Sequence, residues 1–140
     1  MRVEPHGVGS ILHTIKRGTR GMNIVRDEHD RQRFSTSLFH LNDSFSDPNW
    51  TETLKFCRPF ERPGHCPERE PLVHILAWTL LPNHFHLLLE EIRKGGTAKF
   101  MQRLCGSMSA TFNAKYSETG SIFQGSYKSK TVNGDPYLRY

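Results

Sequence analysis

Cysteine is scarce. Cys57, Cys66 and Cys105 are an odd, widely scattered set, which excludes a disulfide framework of the kind that staples small secreted domains. No apolar run reaches the roughly 18 residues that a membrane helix needs. The opening MRVEPHGVGS has no apolar stretch of the kind found in a secretory leader. These absences together predict a cytoplasmic protein. Internal repeats are missing too, so a solenoid is excluded. Acidic residues are outnumbered, 14 Asp and Glu against 19 Lys and Arg, for a net charge of +5. A basic chain attracts polyanions, nucleic acid first. The apolar fraction of 36% and charged fraction of 24% fit a folded globular chain rather than a disordered one. At 140 residues the chain suits one domain, residues 1–140, around a single core.

Residues 1–10 read as a lead-in. In SILHTIKRGTRG, residues 10–21, Ile11, His13 and Ile15 alternate with Leu12, Thr14 and Lys16, the period of a strand. Gly18 and Gly21 end it. Residues 26–43 carry Phe34, Leu38 and Leu41 at helical spacing, with Asp27, Glu28 and Asp30 where a helix dipole favours them. Residues 43–71 are Pro-rich and aperiodic, a long loop or insertion with room for a short helix around 51–56. Residues 72–80 are apolar on both faces, the pattern of a central strand covered on both sides. Pro82 and Asn83 mark a turn, and 84–91 return as a second strand of the hairpin.

Residues 95–116 form the second long helix, with Thr97 as the expected N-cap and Phe100, Leu104, Met108 and Phe112 as its apolar stripe. Residues 118–132 read as a Gly-bounded strand. Asp135 and Pro136 open a third helix. The order strand, helix, strand, strand, helix, strand predicts an α+β chain. It is the ferredoxin-like split β-α-β plan, an antiparallel sheet with helices on one face and a long Pro-rich insertion.

The chemistry centres on LLPNHFHLLLEE, residues 80–91. Side chains alternate along a strand, so His84 and His86 share one face while Phe85, Leu87 and Leu89 take the other. Two neutral imidazoles suit Mn, Fe, Co, Ni or Zn, and support Mg when oxygen ligands and water join them.

LPNHFHLLLE resembles the His-hydrophobic-His (HUH) signature of the single-tyrosine transposases of the insertion-sequence-200 kind. It is most similar to the branch associated with repetitive extragenic palindromes. HTIKRGTRGMNIVRDEHDRQRF resembles that family's first strand, Arg-Gly turn and first helix. AKFMQRLCGSMSATFNAKYSETGSIFQGSYKS resembles its second helix and Gly-bounded strand, and DPYLRY the start of its last helix. The resemblance covers residues 10–42 and 72–140 in the right order, leaving the insertion outside it.

The resemblance implies a DNA transposase acting on single-stranded or hairpin DNA. A tyrosine would attack a phosphodiester and hold the 5′ end as a phosphotyrosine, splitting one exchange into two steps. It also implies a divalent metal ion, Mg or Mn, on His84 and His86, which match the family's metal-binding histidines. By the family's register Tyr137 matches a structural aromatic, and the nucleophile position falls about one turn beyond Tyr140. Two expectations follow: Tyr140 serves as nucleophile, or the last helix is truncated and the chain is an inactive hairpin-binding remnant. The resemblance implies a monomer or a homodimer.

Arg17, Arg20, Lys99, Arg103, Lys128 and Lys130 are the candidate cations for a DNA groove. Gln124 is a candidate support for the metal or a phosphate. Tyr116 reads as helix-end packing and Tyr127 as a strand aromatic rather than nucleophiles. Cys57, His65 and Cys66 do not match a usual structural zinc spacing. Cys105 reads as a core thiol. A metal-dependent hydrolase is a further reading, but it needs a general base, and Glu90 lies too far along the strand from His84 to serve directly.

Overall fold

The computed structural model describes residues 7–47, 49–53, 58–125 and 127–132. The expected third helix at Asp135 and Pro136, Tyr137, Tyr140 and Cys57 lie outside the described residues. The elements run β1 (Ile11–Arg17), α1 (Glu28–His40), α2 (Trp50–Thr53), β2 (Val73–Leu81), β3 (His84–Glu91), α3 (Gly96–Tyr116) and β4 (Lys128–Thr131). A short 3-10 turn at Thr19–Gly21 follows β1. The sheet order is β2-β3-β1-β4 with every pairing antiparallel, which is the split β-α-β plan expected from the element order.

Alternation decides what each face of the sheet does. Leu12 and Thr14 of β1 and Phe85, Leu87 and Leu89 of β3 are fully buried. Phe85, Leu87 and Leu89 meet Phe34 and Leu38 of α1 and Phe100, Met101, Leu104, Met108 and Phe112 of α3 in one core cluster. Both long helices therefore cover the same face. Cys105 lies beside this stripe, and burial pushes its thiol up to about 12, in keeping with a core thiol. The opposite face, bearing His84 and His86, has neither long helix upon it.

The helix ends show how local chemistry sets boundaries. Asp27 is the N-cap of α1, its carboxylate accepting from the Asp30 amide at 2.9 Å, so the helix begins at Glu28 rather than residue 26. The cap of α3 is Gly95, not Thr97. Buried Glu91 at the end of β3 supplies the capping oxygen instead, accepting from the Thr97 amide at 3.0 Å. An anionic group there also suits the positive end of the helix dipole.

Two strand expectations also need correction. Residues 72–80 form an edge strand, not a central one, with Leu76 and Trp78 about half exposed. A bulge between Ile75 and Ala77 shifts their register. It lets Trp78 lean onto Phe34 at 5.5 Å on the helical side while Leu76 faces outward. The strand expected over 118–132 is only Lys128–Thr131. Gly120 and Gly125 adopt positive φ, which turns the chain out of an extended path. Among the described residues one isolated bridge, Gly18 with Phe123, pairs between them.

The insertion is closed at its base. Buried Asn42 accepts from the Leu72 and Val73 amides and donates to the Val73 carbonyl at 2.8 Å. Asp43 pairs with Arg62 and accepts from the Glu70 amide. The long excursion thus leaves and rejoins the fold at one place, and the aperiodic run is a clamped loop carrying α2.

Candidate metal centre and nucleic-acid face

Register brings the site together. His86 pairs with Ile15, and Ile15 with Lys128 on the far side of β1. His84 pairs with Arg17, and His13 with Lys130. Directly opposed residues in a sheet share a face. The open face therefore carries His84, His86, His13, Arg17, Lys128 and Lys130 in neighbouring rows.

The imidazoles are oriented by hydrogen bonds. His84 donates from Nδ1 to Asn83 Oδ1 at 2.8 Å, which leaves its Nε2 lone pair free for a metal. His86 Nδ1 and His13 Nε2 stand 3.0 Å apart and share one proton. When His86 is the donor, its Nε2 is likewise free. Ring centroids of His84 and His86 are 5.0 Å apart. Burial lowers the pKa of His84, aided by the charge of Arg17. Burial lowers that of His86 as well, aided by His13, His84 and Arg17. Both are held as neutral imidazoles, the protonation state that ligates a metal. His13 and Asn83 were absent from the sequence-based site. His13 shows the right alternation in β1, but only the β1–β3 register places it beside His86.

The predicted cations divide. Arg17 lies at the histidine end of β1, and its carbonyl accepts from the Gln124 amide at 2.9 Å, which sets exposed Gln124 next to it. Lys128 and Lys130 lie on the same open face. Arg20 occupies the turn after β1 with φ of 54°. Lys99 and Arg103 belong to α3 on the covered side of the sheet. Arg103 is held there by the Asp43 and Ser44 carbonyls of the insertion.

Neither described tyrosine reaches the histidines. Tyr116 donates its hydroxyl to Asp30 at 2.5 Å and stacks on Phe112 at 4.7 Å. The carboxylate raises its pKa. Tyr127 is half-buried against the core, and burial raises its pKa. Among the described residues no group of three or more His, Cys, Asp or Glu is placed to hold a metal ion. The donor set on the open face is thus the imidazole pair, which fits a borderline divalent cation whose other ligands are oxygens.

Residues 68–139 match the family described as transposase, IS200 like. This chain belongs to the IS200-like transposase family. Two solved structures share the fold of this transposase-family chain. One is a candidate transposase from Deinococcus radiodurans R1, 14% identical, with a TM-score of 0.52 over 97% of this chain and 87% of that one. The other is a REP-associated tyrosine transposase bound to a REP hairpin, 11% identical, with a TM-score of 0.51 over 99% of this chain. The chain spans 65% of that second protein's length. No curated protein matches. Among the described residues no helix is long and apolar enough to cross a membrane.

Proposed function

We propose that this transposase-family chain binds single-stranded hairpin DNA on the open face of its sheet and exchanges DNA strands there. The observation that carries the reading is the shared face: two neutral, oriented imidazoles flanked by Arg17, Lys128 and Lys130. Among the described residues no helix stands between a phosphodiester backbone and the cations there. His84 and His86 would hold Mg or Mn, which supplies charge to polarise the scissile phosphate when bound. Asn83 and His13 keep the two rings turned with Nε2 outward. Arg17 adds a fixed positive charge beside the pair, where phosphate oxygens gain negative charge during displacement.

Tyr140 is the nucleophile we assign. Its phenolic oxygen would give up its proton and bond to phosphorus, the bond from phosphorus to the 3′ oxygen would break, and the released 3′ oxygen would take a proton to become a hydroxyl. The DNA 5′ end would remain as a phosphotyrosine. A second reading is a hairpin-binding remnant without chemistry. It is favoured by the described tyrosines, since Tyr116 and Tyr127 are both committed elsewhere.

A covalent-adduct assay separates the two. Hairpin DNA labelled at its 3′ end is incubated with the chain and Mg or Mn, then run on a denaturing gel. A labelled protein band lost in Tyr140→Phe and in His84→Ala supports strand transfer. Salt-sensitive binding with no adduct supports the remnant. Absence of both defeats the proposal.

A further inference from the structure

A cavity of about 440 Å³ opens in the helical layer, across the sheet from the histidines. α1 and α3 form two of its sides, and the insertion forms the third with Trp50, Pro59 and Phe60. Its size is that of a small-ligand pocket. Its lining includes Arg33 and Arg58 and no carboxylate. Neither arginine has an ion-pair partner among the described residues.

At its edge His40 is 1% exposed, and its Nε2 hydrogen is donated to the Pro59 carbonyl at 2.7 Å. Its Nδ1 is therefore a bare lone pair, and that atom is buried without a partner. Burial chiefly holds the ring neutral, so a solvent proton does not fill the gap. An orphaned buried acceptor of this kind calls for a donor from outside. Trp50 lies 5.5 Å from the His40 ring, and Phe60 shows more than half of its surface to solvent. Aromatic walls, one acceptor that needs an N–H, and two cations without an ion-pair partner among the described residues together describe a flat heterocycle carrying an anion.

We propose that this cavity is a nucleotide subsite for an unpaired base and its phosphate. The base's amino or ring N–H donates to His40 Nδ1, the ring lies against Trp50 and Phe60, and Arg33 and Arg58 face the phosphate. A base within a duplex has its donors paired and its faces covered, so the subsite takes a free nucleotide or an unpaired one in a strand. It does not depend on the histidine pair, and its test uses neither metal nor cleavage.

The chain has two tryptophans, so in Trp78→Phe the fluorescence reports Trp50 alone. This protein is titrated with deoxyadenosine monophosphate, with deoxyribose 5-phosphate, and with a short single-stranded oligonucleotide. We expect saturable quenching by the nucleotide and none by the sugar phosphate. Adding Arg58→Ser, at an exposed position, and Arg33→Ser, at a half-buried one, should weaken the nucleotide about tenfold. The N6,N6-dimethyl nucleotide, which lacks the amino donor, should also bind more weakly. Tighter binding of the oligonucleotide would assign the subsite to a DNA strand, and equal binding to a free nucleotide. The proposal falls if no probe quenches saturably, if the arginine changes have no effect, if the sugar phosphate does as well, or if the dimethyl nucleotide binds unchanged.

Discussion

Replacing either imidazole at positions 84 and 86 with a methyl group removes a metal donor but little buried surface. His84→Ala and His86→Ala should each abolish Mn binding, followed by the Mn electron-spin signal, while unfolding free energy changes by about 0.5 kcal/mol or less. The pH response of that binding has a defined sign. Both histidines titrate below the ordinary value, so they stay neutral as pH falls to about 6.5 and are protonated only below it. Mn affinity should hold from pH 8 to about 6.5 and then fall. A loss already complete at pH 7.5 would show that these imidazoles are not held neutral. At this scale the histidine pair was legible, because a period of two places both rings on one face whatever the strand does next. His13 was not legible, since its place beside His86 depends on a pairing between residues 73 apart.

Elements are fixed here by contacts distant in sequence. The α3 N-terminus takes its capping oxygen from Glu91 on β3. Glu91→Ala should cost about 1–3 kcal/mol in urea unfolding, and Glu91→Gln less, because the amide oxygen can still accept. Thr97 looked like the cap because the sequence shows only neighbours, and the true donor of the oxygen lies in another element. Where α1 meets α3, Lys115 bridges Asp27 and Asp30 at 2.6 and 2.9 Å. Burial pushes the Asp30 carboxyl up, but bonds from Tyr116, the Arg26 amide and Lys115 outweigh it and lower the pKa. A carboxylate lowered in the fold stabilises it above its unfolded pKa, near 3.8, and loses that contribution as pH falls through the folded value. Asp30→Asn should therefore lower Tm at pH 7, with the gap to wild type closing below about pH 4. A gap of constant size down to pH 2.5 would contradict this. The apolar run 72–80 misled because lack of alternation marks either a doubly covered strand or, as here, an edge strand with a bulge that changes which side faces in.

The charge of the whole molecule, +5, matters through where it is displayed. Arg17, Lys128 and Lys130 gather on the open face, while Arg103 is tied to the insertion on the covered one. Affinity for single-stranded hairpin DNA should fall steeply with salt. Arg17→Gln with Lys128→Gln should reduce the log–log slope by about 1.4, near 0.7 per phosphate contact on single strands. Lys99→Gln should leave the slope unchanged, and a change equal to that of Lys128→Gln would place the groove elsewhere. The sheet plan was readable from element order alone, since a split β-α-β arrangement follows from it. The closed base of the insertion was not, because buried Asn42 and Asp43 close it through partners some 20–30 residues away, most of them backbone groups that leave no side-chain signature. The sheet order also has a consequence for synthesis. β1 leaves the ribosome before the other described strands, yet both of its neighbours, β3 and β4, come much later in the chain. The β2–β3 hairpin can close as soon as it emerges, whereas β1 must wait with both edges bare. Translation that pauses before residue 91 would leave an unpartnered strand open to nascent chains nearby, so growth of this chain at high expression should demand chaperone cover for its first half.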